Sequence, residues 1–427
     1  MRIEDLYQLF RAHPKAVKDT RQDVKDAIYF SLKGGNFNGN TYAQQALDKG
    51  AAYAVIDEAK YKTDERMLLV EDALKCLQDL ATHHRQRLGL PVLALTGSNG
   101  KTTTKELIHS VLSQKYNCLA TAGNLNNHIG VPLTLLTITP ETEIAVIEMG
   151  ANNPGEIAAL CEIALPDYGY ITNFGRVHLE GFGSLQGVIH SKTEMYRHLQ
   201  SKGKKVFINA SDPVQMERSQ QMKRMLVGGE DGACQVSFID ADPFVRMDFE
   251  GTEICSELIG AYNYMNMAAA ACIGKYFEVD SEAIRRGIAS YVPANNRSQI
   301  IKRGSNTIIM DAYNANPNNM EAAISNLKRL KASKKVAILG DMFELGKDSA
   351  LEHQKVAEMI AESDADPVFL IGENFSKVNA GDSKIKIYKT FEEFSSNFKN
   401  LDFDDTTFLI KASRGMALER ALDLIEA

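Results

Sequence analysis

Short apolar runs and amphipathic stretches follow one another along this chain with the periods of strands and helices. Runs at residues 27–30 and 52–56 predict two strands, with a helix over 42–48 between them and another over 71–87. Residues 91–95 then read as a buried strand, and 101–114 as a helix whose Leu107, Ile108, Val111 and Leu112 share one face. Apolar runs at 144–147, 168–171 and 205–208 are separated by helical stretches, the alternation that builds a largely parallel sheet. Residues 234–259 are irregular and β-like, and an alanine-rich helix over 263–276 follows. Beyond a break at Val292-Pro293, runs at 307–310, 335–339, 368–371 and 407–410 again alternate with helices. The pattern predicts an α/β protein of three domains. These are a small α/β domain over 1–88, a central domain with a mostly parallel sheet over 89–298, and a Rossmann-like α/β domain over 299–427.

Composition narrows the partners. At 427 residues the chain exceeds one ordinary core, and its formal net charge of −7 disfavours nucleic acid, whose backbone needs a basic face. Small molecules are the expected clients. The start Met1-Arg2-Ile3-Glu4-Asp5 is not that of a signal peptide, and no apolar stretch reaches the roughly 18 residues of a membrane span, so a cytoplasmic protein without membrane insertion is expected. Six scattered cysteines with no C-x-x-C pair fit a reducing compartment better than a disulfide or zinc framework.

The chemistry begins at Gly97-Ser98-Asn99-Gly100-Lys101-Thr102, between an apolar strand and a helix. A glycine-rich turn there aims backbone N–H groups at one point, and the helix dipole adds potential that favours an anion, so phosphate fits. Lys101 would reach the β- and γ-phosphates of a nucleotide and the Thr102 hydroxyl would ligate Mg²⁺. The loop lacks the usual first glycine, since Leu95 stands in its place. Glu148, at the end of the run 144–147, is placed to give the metal a second oxygen. His178 follows another strand of the same sheet and could face the same crevice, although spacing alone leaves a surface position open. The pair His83-His84 reads as helix surface.

Further blocks complete a larger pattern: Gly123-Asn124-Leu125-Asn126-Asn127-His128-Ile129-Gly130, Glu148-Met149-Gly150-Ala151-Asn152, His178-Leu179-Glu180-Gly181-Phe182-Gly183-Ser184, Asp311-Ala312-Tyr313-Asn314-Ala315-Asn316-Pro317 and Gly340-Asp341-Met342-Phe343-Glu344-Leu345-Gly346. With the loop Thr96 to Thr103, whose shortened form accounts for Leu95, they resemble the Mur ligases, ATP-dependent amide-forming enzymes of peptidoglycan precursor synthesis.

The resemblance implies a P-loop ATPase-like central domain and a ligase that joins D-Ala-D-Ala to a UDP-N-acetylmuramoyl-tripeptide through an acyl phosphate, acting as a monomer. By motif position, Gly97, Ser98, Asn99, Gly100, Lys101, Thr102 and Thr103 would hold ATP, with Asn263, Asn266, Arg297, Asp311 and Tyr313 completing the nucleotide site. Thr102, Glu148, His178 and Lys192 would bind Mg²⁺, two ions in all, with Lys192 carbamylated; Lys101, His178 and Lys192 would be the catalytic set. Asn124, Asn126 and Asn127, then Arg21, Ser31 and Lys33 in the first domain and Lys411, Ser413 and Arg414 in the third, would bind substrate. Two positions depart from the family pattern: Tyr262 replaces a histidine and Asn296 a glycine. The Asp-Asn-Pro-Arg motif of the diaminopimelate-adding ligase is missing from the sequence, which disfavours that sibling.

Overall fold

The structure is a computed structural model that describes residues 1–229, 234–399 and 401–425; residues 426 and 427, the end of the expected third domain, lie outside the described residues. Three parallel or nearly parallel sheets carry the chain. The first orders Ala16–Val17, Ile28–Phe30, Tyr53–Ile56 and Met67–Leu69. The central six-stranded sheet runs Lys223–Val227, Lys205–Asn209, Tyr168–Ile171, Val92–Thr96, Ile144–Glu148, Cys118–Ala120, with every neighbouring pair parallel. Its middle strands, including Val92–Thr96 and Ile144–Glu148, are buried throughout because helices cover both faces. The strand Val92–Thr96 lies between one that follows it and one that comes later still on its other side. Strand order therefore reverses there, and the crevice beyond the carboxyl ends is where such sheets bind ligands.

The third sheet orders Gln299–Arg303, Asn306–Asp311, Thr406–Lys411, Lys334–Gly340, Val368–Ile371 and Ile385–Tyr388, antiparallel only at its first pair. Between the second and third sheets, the stretch expected as irregular forms an antiparallel sheet of Val236–Ala241, Phe244–Phe249 and Thr252–Ile259. It packs with the helix Tyr264–Tyr276 on one face of the central sheet, where Val245, Met247 and Phe249 meet Ala268, Ala271 and Leu107.

The helix Ala73–Leu88 starts where Asp72 accepts the N–H groups of Leu74 and Lys75, and ends at Gly89 in the left-handed region. It belongs to two domains at once. One continuous core joins its Leu77 and Leu80 to Leu6, Phe10 and Ile28 on one side and to Val131, Ile147 and Met195 on the other. Here the expectation for His84 is corrected: the side chain is buried, with Nε2 donating to Ile138 O at 2.8 Å and Nδ1 facing the Tyr7 hydroxyl at 3.3 Å. A second correction concerns the cysteines. Cys234 and Cys272 form a disulfide, because the chain entering the antiparallel sheet crosses the helix that carries Cys272, while Cys76, Cys118, Cys161 and Cys255 stay free. Among the described residues no helix is long and apolar enough to cross a membrane.

Candidate active site

The phosphate loop is braced by the neighbouring strand's exit. Ser98 N donates to Asn173 O at 3.0 Å, Asn99 N to Asn173 Oδ1 at 3.1 Å, and the Thr172 hydroxyl to Asn99 O at 2.6 Å. A Cβ on Gly97 (φ +149°) would overlap Thr172 Oγ1, and one on Gly100 (φ +77°) would press on Asn266 Oδ1, so both glycines are required by close approach. Gly97 thus lies behind the wall, while Ser98, Asn99, Gly100, Lys101, Thr102 and Thr103 line a cavity of about 710 Å³. Lys101 Nζ turns back onto Gly97 O at 2.9 Å and Ser98 O at 3.3 Å. Burial holds its ammonium below the usual range; Glu148 opposes the shift and Arg297 adds to it.

Glu148 faces the same cavity, nearly sealed from solvent. Its Oε1 accepts from Asn126 Nδ2 at 2.8 Å, and Oε2 has no partner. An orphaned carboxylate oxygen beside a phosphate loop suits a hard cation. No three His, Cys, Asp or Glu side chains among the described residues converge as a ready metal cage, so a divalent ion here needs phosphate, hydroxyl or water ligands as well. His178 also lines the cavity, in the left-handed region (φ +48°), with Nδ1 against Glu344 Oε2 of the third domain. Burial lowers its pKa, Glu344 pulls the other way, and Lys101 and Lys192 add to the lowering.

Lys192 is not in the wall. It is buried behind Phe182, with Nζ 5.7 Å from that ring, and Phe182 in turn flanks His178 at 6.3 Å. Its Nζ makes no ion pair or hydrogen bond among the described residues. Burial, assisted by Lys101, pushes its pKa well below the ordinary ammonium value.

The far wall comes from residues 262–266 and 297–298 and from the third domain. Asn263 and Asn266 form a relay under the loop: Thr104 Oγ1 donates to Asn266 Oδ1 at 3.0 Å, Asn266 Nδ2 to Asn263 Oδ1 at 2.7 Å, and Asn263 Nδ2 to Ile259 O at 2.8 Å. Both family departures find a physical reason. Asn296 adopts φ +58°, the left-handed region a glycine would take and which asparagine tolerates. Tyr262 reaches Ser298 Oγ at 3.0 Å, and Ser298 N donates to Asp311 Oδ1 at 3.1 Å. Arg297 stacks on Tyr313 at 3.4 Å, and both line the cavity.

The expected third-domain substrate residues diverge. Lys411 lines the cavity, but its Nζ is held by Asp311 Oδ2 at 2.6 Å and Asn314 O at 3.1 Å. Ser413 is buried away from the cavity, since its hydroxyl accepts Phe343 N at 2.9 Å, and Arg414 is exposed beside Glu419 at 2.8 Å. Beyond the expected site residues, Asn316, Asn318 and Asn319 line the cavity, and Asn316-Pro317 carries a helix-start signature: Asn316 caps Pro317–Arg329.

A second cavity, of about 550 Å³, lies in the first domain and takes in Arg21 and Lys33. Lys33 is shared between Asp57 at 2.9 Å and Glu58 at 3.2 Å, and Arg21 pairs with Asp19 at 2.6 Å. Ser31 does not reach this wall; it is fully buried and its hydroxyl has no partner. The two cavities meet at one loop. Asn124, Asn126, Asn127 and His128 face the phosphate side, and the next residue, Ile129, faces the first-domain cavity.

Residues 95–274 match the Mur ligase middle domain, and residues 296–425 the Mur ligase glutamate ligase domain. The UDP-N-acetylmuramoyl-tripeptide–D-alanyl-D-alanine ligase of Bacillus subtilis is 35% identical, the alignment covering 96% of this chain and 92% of that protein. Among solved structures, MurF of Acinetobacter baumannii superposes with a TM-score of 0.87 at 30% identity, over 98% of this chain and 97% of that one. The Thermotoga maritima MurF ligase in complex with ADP superposes at 0.84 and 27% identity, over 96% of each chain. With a phosphate loop, an orphaned carboxylate and a third-domain wall assembled around one cavity, the chain belongs to the Mur ligase family.

Proposed function

We propose that this protein joins D-alanyl-D-alanine to UDP-N-acetylmuramoyl-tripeptide with hydrolysis of ATP to ADP, in peptidoglycan precursor synthesis. The observation that carries this reading is the meeting of the two cavities at His128 and Ile129. A long substrate anchored by its nucleotide end over residues 1–88 can lay its peptide across this loop, with its terminal carboxylate beside the phosphate loop of residues 89–298. Residues 299–427 then close the far side and admit the incoming amine. We place the reaction in the cytoplasm, where ATP is at hand.

A carboxylate resists amine attack because its charge is delocalised and oxide is a poor leaving group. Transfer of the γ-phosphoryl group of ATP to the tripeptide carboxylate makes an acyl phosphate; the amine then attacks its carbonyl carbon and expels phosphate. Lys101 is poised to exchange its own loop's carbonyls for phosphate oxygens and offset their charge. Thr102, Glu148 and His178 would hold Mg²⁺, which would supply neutralisation of phosphate charge. Arg297 and Tyr313 offer a flat platform for the adenine, and Asn263 and Asn266 keep the loop in register beneath it. Closure by the third domain excludes the water that would hydrolyse the acyl phosphate.

Lys192 fits carbamylation. Its buried amine favours the neutral form, which adds carbon dioxide and releases a proton, leaving an anion that would offset Lys101 and offer oxygen to a second Mg²⁺. Lys192→Ala should lose most activity, with partial rescue by small added carboxylic acids. For the whole reading the test is ADP release measured with each cosubstrate omitted in turn. Release that needs both UDP-tripeptide and D-Ala-D-Ala is expected, and equal release with either one missing would overturn it.

A further inference from the structure

The segment from Gly340 to Gly346 stands out in the sequence, yet the reaction above makes no use of it. Its residues are pinned one after another. Asp341 accepts Asn374 N at 2.8 Å and Phe375 N at 2.9 Å. Met342 N donates to His353 Nε2 at 3.0 Å, and Phe343 N to Ser413 Oγ at 2.9 Å. The chain then enters the left-handed region at Glu344 (φ +60°), a conformation that a long side chain rarely takes. The outcome is that Glu344 projects across the domain boundary and its Oε2 meets Nδ1 of His178. Backbone contact follows the same path, with Glu180 N donating to Glu344 O at 3.4 Å. His178 is itself held at φ +48°, so two left-handed residues on different domains face each other.

We propose that Glu344 is the positioning residue for His178, fixing its ring and tautomer from the third domain, so that turnover requires that domain to be docked. A carboxylate at Nδ1 keeps the proton on that nitrogen and leaves the Nε2 lone pair unshared, on a residue that lines the cavity. Among the described residues this is the only hydrogen bond of the ring, so an undocked domain leaves His178 free to turn and to exchange tautomers. The inference rests on His178 acting at the active site.

The test uses full-length protein labelled with ¹⁵N at its nine histidines, with His178→Gln identifying the signal. Long-range ¹H–¹⁵N spectra without substrate should show the Nδ1–H tautomer in the parent and in Glu344→Gln, which keeps an acceptor of the same reach. Glu344→Ala should show mixed tautomers. In ADP-release assays Glu344→Ala should lower kcat about 10- to 100-fold, the usual effect of losing such a partner, with KM for ATP and UDP-tripeptide within about threefold. Glu344→Gln should restore most of kcat. An unchanged His178 signal in Glu344→Ala, or equal loss of kcat in the Ala and Gln variants, overturns the proposal. Full activity in His178→Gln would instead overturn the reading of His178 on which it stands, a failure the substrate-free spectra tell apart.

Discussion

Asn316 and Asn99 stand 217 residues apart in the chain, and Asn316 Nδ2 donates to Asn99 Oδ1 at 2.7 Å. The third domain thereby holds the tip of the phosphate loop, with Asn319 Nδ2 a second donor at 3.4 Å. Asn99→Ala removes both bonds and leaves the backbone bracing at Thr172 and Asn173 in place. Two net hydrogen bonds of about 1 kcal/mol each imply a KM for ATP raised by up to roughly 30-fold, and by about 5-fold if the 3.4 Å bond contributes little. Steady-state kinetics with an unchanged KM would show that the loop does not feel the third domain.

Lys101→Ala should leave the fold intact, because the side chain packs on its own loop's carbonyls and not in a core. Turnover should fall by about 10³-fold with the loss of the charge facing the γ-phosphate. A variant with the parent's melting curve and near-parent ADP release would sink the phosphate-loop assignment.

Two buried histidines predict acid sensitivity. Burial lowers the pKa of His84 against the opposing bond to Ile138, and that of His353 against the opposing bond to Ser349. As neutral rings both are satisfied: His353 Nδ1 donates to Ser349 O at 2.7 Å while Nε2 accepts Met342 N at 3.0 Å. Protonation would turn Nε2 into a donor facing another donor. The unfolded chain binds protons more readily, so stability is complete above the unfolded value of about 6.5 and is lost as pH falls from there toward the lowered folded values. Melting temperatures should drop between about pH 7 and pH 5, less steeply in a His84→Gln/His353→Gln double variant. Parallel slopes in parent and variant would refute this.

Arg85 should matter more to stability than to catalysis. It is buried, pairs with Asp167 at 2.6 Å and donates to Ala164 O at 3.3 Å and Leu165 O at 3.2 Å. Arg85→Ala should cost about 2–3 kcal/mol in urea unfolding, below the largest losses for broken buried pairs because Lys204 still neutralises Asp167. A loss under about 0.5 kcal/mol would show that the pair contributes little.

Much of this was legible because parallel strands covered on both faces are continuous apolar runs, and the phosphate loop is a local motif with its context beside it. The burial of His84 is also legible, against a surface reading of the pair His83-His84: the period that turns Leu77, Leu80 and Ala81 inward carries residue 84 with them. Other features have no local signature. Cys234 finds Cys272 across 38 residues, and Glu344 finds His178 across 166, through sheet and domain packing that no window of sequence contains. Lys411 and Ser413 lie at and just beyond the end of the strand Thr406–Lys411, and which of their polar atoms stay free depends on Asp311 and Phe343, supplied by other strands and loops.

The helix Ala73–Leu88 serves as a caliper. Its 16 residues, at about 1.5 Å each, span roughly 24 Å. Along that length it grips the central domain through Thr82 to Ile163 O at 3.0 Å and Arg85 to Asp167, and it holds the shared loop through Gln78 to His128 O at 3.0 Å. With one core running through both sides of the helix, the first-domain cavity and the phosphate loop are packed against a single continuous element. On the substrate path proposed above, length then becomes a constraint: a peptide one residue short would leave its carboxylate stranded before the loop, and one residue too long would crowd the space meant for the incoming amine.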